Sequence, residues 1–71
     1  MTINSEEPIY PKVTVQLIGL DGNTIAIVNR VSKQMRLSGI KRNKIIEFQE
    51  EALSGDYNHV IQTCMKYVNV E

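Results

Sequence analysis

The chain has 71 residues, with eight Lys/Arg against eight Asp/Glu, and so a formal net charge of zero. This length fits one domain, and no apolar run approaches the roughly 18 residues of a membrane span. Met1 to Pro11 carries Glu6 and Glu7 and no apolar run, so a secretory signal is not expected, and the one cysteine, Cys64, fits a reducing, cytoplasmic location.

Apolar residues make up 42% of the chain, but the aromatic ones are only Tyr10, Phe48, Tyr57 and Tyr67, so the core must be mostly aliphatic. A domain of this size buries only about 60% of its unfolded surface and is marginal alone. With no disulfide and no metal-ligand spacing to act as a staple, helix packing or oligomerisation remains, and a homodimer is expected.

The zero net charge hides an uneven distribution. In residues 1–22, Glu6, Glu7 and Asp21 against Lys12 give −2. In residues 23–46, Arg30, Lys33, Arg36, Lys41, Arg42 and Lys44 with no acid give +6. In residues 47–71, Glu47, Glu50, Glu51, Asp56 and Glu71 against Lys66 give −4. A basic middle third marks either a surface for an acidic partner or a face neutralised within the fold.

Residues 1–11, with two prolines and no periodicity, read as a flexible N-terminal tail, and residues 12–71 as a single domain. From Lys12 the chain alternates strictly: Val13, Val15 and Leu17 on one face, Lys12, Thr14 and Gln16 on the other. That is a half-buried strand, Lys12–Ile18, with Pro11 at its start where a missing N–H is tolerated. Asp21-Gly22 between apolar runs is a hairpin signal that would make Thr24–Val28 a second strand. The competing reading is a helix from Asn23 or Thr24. Thr24, Ile25, Ile27, Val28, Val31 and Met35 fall on one side of such a helix, and the division continues to Arg36, which favours it.

Ser38-Gly39-Ile40 has the form of a helix C-terminal cap, with Gly39 left-handed and Ile40 folding back on Met35. A second helix is expected from Asn43, as N-cap, to Leu53, with Ile45, Ile46, Phe48, Ala52 and Leu53 as its apolar stripe and Glu47, Glu50 and Glu51 opposite. Asp56 caps a third helix, in which Tyr57, Val60, Ile61, Cys64, Met65 and Tyr67 share a face. Val68-Asn69-Val70 alternates and reads as a short final strand. The expected fold is α+β: strand–helix–helix–helix–strand, in which the terminal strands Lys12–Ile18 and Tyr67–Val70 pair, with a partner chain as a means of extending the two-stranded sheet.

His59 is the one histidine and the obvious general base. It sits on the polar face of its helix, while Cys64 lies about 140° away on the apolar face, so a Cys–His nucleophile is not expected. Met35 and Met65 are expected as core fillers, and no cofactor or metal is expected. Gly19-Leu20-Asp21-Gly22 lacks the spacing and the Lys-Ser/Thr ending of a phosphate loop. The informative anomaly is Lys41, Arg42 and Lys44 around the start of the second helix, where cations oppose the macrodipole. With Arg36 they form a candidate basic corner for a phosphate or an acidic partner.

Strand, helix, Gly turn, helix resembles the ribbon-helix-helix family of DNA-binding dimers, through Lys12-Val-Thr-Val-Gln16 and Gly39-Ile-Lys-Arg-Asn-Lys-Ile-Ile46. The resemblance covers residues 12–53. It implies that Lys12, Thr14 and Gln16 read bases while Arg42, Asn43 and Lys44 hold phosphate. The link from Ile18 to Asn23 is longer than in that family, and the third helix and final strand lie outside its minimal fold. Val13-Thr-Val-Gln-Leu17, Asp21-Gly-Asn23 and Ser54-Gly-Asp-Tyr-Asn-His59 through Gln62-Thr63 also look like small uncharacterised bacterial and phage proteins, which implies a cytosolic α+β unit and supplies no activity. The leading expectation is a non-enzymatic binding or accessory protein acting through protein–protein contact. The alternative is a DNA-binding regulator of ribbon-helix-helix type. An enzyme using His59 in a dimer-built pocket ranks third.

Overall fold

In the computed structural model, which describes residues 8–17 and 23–71, two strands bracket three helices. They are β1 (Tyr10–Val15), α1 (Thr24–Leu37), α2 (Arg42–Ala52), α3 (Tyr57–Tyr67) and β2 (Val68–Val70). This is the α+β strand–helix–helix–helix–strand order expected, with the sheet formed by the two terminal strands.

Each helix boundary has a local cause. Asn23 is in extended conformation, and its side-chain oxygen accepts from the Ala26 N–H at 3.2 Å, closing the first turn of α1. Residues 24–28 are therefore helical rather than strand. The Asp21-Gly22 turn of the hairpin reading, and Ile18, lie outside the described residues. At the other end Gly39 adopts φ 87°, the Gly39 N–H donates to the Arg36 carbonyl at 3.0 Å, and the Ile40 N–H donates to the Met35 carbonyl at 3.1 Å. This is the Schellman arrangement, and it turns the chain directly into α2.

α2 starts with its N-cap two residues before the expected Asn43. The carbonyl of Lys41 takes the first bonds, from the Lys44 N–H at 3.0 Å and the Ile45 N–H at 3.1 Å, so Lys41 is the N-cap and Asn43 is already helical. The Schellman turn leaves only Ile40 and Lys41 before the next helix, which places the cap before any side chain suited to it. Asp56 caps α3 as expected, accepting from the His59 N–H at 3.0 Å.

β1 and β2 pair in parallel, with Tyr10 opposite Val68, Thr14 opposite Asn69 and Val15 opposite Val70. The extra residues of β1 between Tyr10 and Thr14 form an irregularity, bridged by the Asn69 side chain, whose amide donates to the Pro11 carbonyl. The strand begins at Tyr10, two residues upstream of the expected Lys12, and Tyr67 ends α3 rather than opening β2. A parallel pair requires a long crossover, and the three helices supply it.

Val13 and Val15 of β1 and Val68 of β2 face inward onto Ile27, Val28, Val31 and Met35 of α1, Ile45, Phe48 and Ala52 of α2, and Val60, Cys64 and Tyr67 of α3. The expected stripes are wider than the buried ones. Ile25, Ile46, Leu53, Tyr57 and Met65 are exposed, so Met65 is not a core filler, while Met35 is fully buried. Three helices over two strands can cover only a narrow sector of each helix. Residues one position round from Ile45 and Ala52, namely Ile46 and Leu53, turn 100° away from it. On α3 the buried sector takes in Thr63 instead of Tyr57 and Met65, because the Thr63 hydroxyl satisfies itself on the His59 carbonyl at 2.8 Å.

Candidate functional site

The α1–α2 turn brings part of the basic segment to one place. Arg36 lies in the last turn of α1 and Arg42 opens α2, and the two line one groove of about 420 Å³. Its apolar lining is Ile40, Ile45 and Ile46. Its polar lining includes Ser32 and Gln49, whose side chains are tied to each other at 2.9 Å and so hold α1 against α2 beneath the groove. Lys41 and Lys44 are exposed near it but do not line it. Lys44 instead lies 3.9 Å from Glu47 on its own helix.

Arg30, Lys33, Arg36, Lys41, Arg42 and Lys44 are all solvent-exposed. Among the described residues, Lys44 alone of these six has a carboxylate within ion-pair distance. Guanidinium groups are planar forks that grip carboxylates bidentately, and beside an apolar floor they suit a ligand carrying both an acid and a hydrocarbon surface.

Lys12, Thr14 and Gln16 are exposed, alternating with the buried Val13 and Val15. Thr14 stands on the face of the sheet opposite the buried Val13 and Val15, Gln16 lies just past the end of β1, and Lys12 reaches toward the α1–α2 turn. A second groove, of about 270 Å³, runs from Ile9, just before β1, and Tyr10 and Lys12 on β1 to Ser38 and Ile40 on the α1–α2 turn. Ile40 thus borders both grooves and joins the strand region to the basic corner.

His59 and Cys64 do not converge. Burial pushes the Cys64 thiol up to about 11, which keeps it neutral at pH 7. His59 closes the α2–α3 corner. Its Nε2 lies 2.8 Å from the Glu51 carbonyl and 3.2 Å from the Ser54 hydroxyl, which itself donates to the same carbonyl at 2.7 Å. The ring also packs over Gly55, where a Cβ would come within 2.8 Å of His59 Cβ and Cγ.

Glu51 binds α2 to α3 by its side chain as well. Lys66 donates to Oε2 at 2.7 Å and the Tyr67 hydroxyl donates to Oε1 at 3.1 Å. The Lys66 ammonium, chiefly, holds the Glu51 carboxyl below the usual carboxylate range; desolvation opposes this and the Tyr67 bond adds to it. Burial, and secondarily Glu51, push the Tyr67 phenol up. Sequence periodicity places Glu51 on the solvated face of one helix and Lys66 on that of another. Their meeting depends on the crossing of the two helices, which periodicity does not encode. Among the described residues every buried side-chain polar atom is partnered, and no group of three or more His, Cys, Asp or Glu is placed to hold a metal. The Glu51–His59 cluster is therefore a satisfied structural joint, whereas the arginine groove presents unengaged cations.

Among the described residues no helix is long and apolar enough to cross a membrane. Comparison of the chain with family models, curated proteins and solved structures returns no match.

Proposed function

We propose that this is a cytosolic, non-enzymatic binding or accessory protein whose α1–α2 corner engages an acidic, amphipathic segment of a protein partner. The observation that carries the reading is the groove itself: Arg36 and Arg42, from two different helices, flank a floor of Ile40, Ile45 and Ile46. Lys41 and Lys44 add to the positive field around it and favour encounter with an acidic partner. The test is fluorescence anisotropy with a labelled acidic amphipathic peptide and a basic peptide of the same hydropathy. Binding should favour the acidic probe, weaken with salt, and fall about tenfold or more in Arg36→Glu and Arg42→Glu. Equal binding of both probes, or no effect of either reversal, would remove the reading.

A second reading, a DNA-binding regulator of ribbon-helix-helix type, draws on the exposure of Lys12, Thr14 and Gln16 along β1 and just beyond its end. It requires DNA affinity that falls steeply with salt, with a flatter slope after replacement of Arg36, Lys41, Arg42 and Lys44. Absence of DNA binding at low salt would eliminate it.

A further inference from the structure

α2 carries its charges the wrong way round for an isolated helix. Lys41, Arg42 and Lys44 cluster at its N-terminus and Glu47, Glu50 and Glu51 in its second half, with no acid in the first turn and no base in the last. Both ends oppose the macrodipole. Three of these charges are partly relieved inside the chain, Lys44 and Glu47 by each other and Glu51 by Lys66. Among the described residues, Arg42 and Glu50 are in no ion pair, and both are exposed.

Arg42, Ile46, Glu50 and Leu53 follow at spacings of four, four and three, so they line one face of α2. Ile46 and Leu53 on this face are 40% and 46% exposed. The face is thus apolar at its middle and far end, positive at its start and negative beyond its centre.

We propose that the occupant of the Arg36–Arg42 groove is the α2 helix of a second copy of this chain, packed antiparallel about a two-fold axis at Ile46. This rests on the reading of that groove as a site for an acidic, amphipathic segment. With the axis at Ile46, residues four positions to either side face each other, so Arg42 meets Glu50 of the second copy, and the pair occurs twice. Ile46 packs on its own symmetry mate. Leu53, seven residues and about 10 Å along the helix from the axis, then reaches past Arg42 of the other copy toward its α1–α2 turn, where Ile40 lines the groove. Its flanking Glu50 then stands beside Arg42, giving the combination of hydrocarbon and carboxylate that the groove suits. Antiparallel pairing also sets the positive end of each α2 against the negative end of the other. The charge arrangement that is unfavourable in one helix becomes favourable in two. A parallel arrangement would put cation on cation and is disfavoured by the same charges.

The test is sedimentation equilibrium of the full chain at low salt, up to about 100 µM, for the native protein, Arg42→Glu, Glu50→Arg and the double reversal. The native chain and the double reversal should dimerise, and each single reversal should weaken the dimer about tenfold or more. Mixing the two single variants should restore association, because every facing pair is then of opposite sign. A monomeric native chain, single variants that dimerise as well as the native chain, or a mixture that stays monomeric would each overturn the proposal. The anisotropy assay separates this from the underlying reading. A monomer that still binds the acidic peptide through Arg36 loses only the second copy as occupant, whereas a chain that does neither loses both.

Discussion

Gly55→Ala is the substitution whose sign reports most directly on the α2–α3 corner. Gly55 does not have a positive φ, so alanine is compatible with its backbone. On chain entropy alone the change would stabilise the fold by about 0.4–1 kcal/mol. The structure reverses that expectation. The new Cβ would stand 2.8 Å from His59 Cβ, 2.8 Å from Cγ and 2.9 Å from Cδ2. These are not the mobile end of a side chain, because the ring is held by the Glu51 carbonyl and the Ser54 hydroxyl. Relieving the overlap costs about 1–3 kcal/mol as overpacking, and displacing the ring also weakens hydrogen bonds of about 0.5–1.5 kcal/mol each. The net is a destabilisation of about 1–2 kcal/mol, or roughly 4–16 °C in Tm for a domain of this size. In a His59→Ala background Cγ and Cδ2 are gone and only the Cβ contact remains, so Gly55→Ala should cost at least about 0.5 kcal/mol less there. Gly39→Ala is the control: its φ of 87° costs about 1–2 kcal/mol, nothing lies within 4 Å of the added Cβ, and it should be additive with His59→Ala. Urea denaturation followed by far-UV circular dichroism reads all of these. A Gly55→Ala protein as stable as the native chain, or an equal cost in both backgrounds, would refute the reasoning.

Phe48 is fully buried, with its ring edge-on to Tyr67 at 5.2 Å between centroids. Phe48→Ala should cost about 3–5 kcal/mol, a large share of the whole stability of so small a domain, whereas Phe48→Leu should remain folded; equilibrium denaturation checks both. Glu51 has its carboxyl lowered below 4.5 in the folded state, so its contribution is full above that pH and is lost as pH falls through the folded value. Glu51→Gln should therefore flatten the acid limb of the stability–pH profile, measured by denaturation between about pH 2 and 6, and an unchanged limb would contradict the Lys66–Glu51–Tyr67 joint. Cys64 is buried, with its thiol pushed up to about 11, so iodoacetamide should label it in urea and leave it essentially unlabelled in the native state at pH 7; rapid native labelling, read by mass spectrometry, would contradict its placement.

Elements that rest on neighbouring residues are legible in the sequence. The alternation of Val13 and Val15, the helix start at Asn23 or Thr24, the Asp56 cap and the Gly39 turn each act within a few residues, and each stands where the pattern put it. What depends on the helices meeting was not legible. The α2 stripe included Ile46 and Leu53 because hydrophobicity alone counts every apolar side chain, while burial selects the sector facing two neighbouring helices. The parallel sense of β1 and β2, left open by the sequence, follows from where three helices return the chain. The candidate corner was half legible. Arg36 and Arg42 converge across the Schellman turn, whereas proximity in sequence does not bring Lys41 and Lys44 into the groove. His59 stands out in the sequence as the one histidine. Its partners are a carbonyl and two hydroxyls with no hydrophobic period to announce them.

The parallel pairing of the first and last strands also decides how the fold bears tension. Because β1 and β2 run in the same direction, the start of β1 and the end of β2 lie at opposite ends of their ladder. The Ile9 N–H meets the Lys66 carbonyl at 2.9 Å at one end, and the Glu71 N–H meets the Val15 carbonyl at 2.9 Å at the other. A pull applied through those two ends acts along the strands and across the hydrogen bonds, so the bonds are loaded together in shear. An antiparallel ribbon pulled from the free ends of its two strands would open one bond at a time. Forced unfolding follows the barrier rather than the equilibrium. A sheet of two short strands, marginal if it stood alone, is thus set in the direction in which it resists extension best.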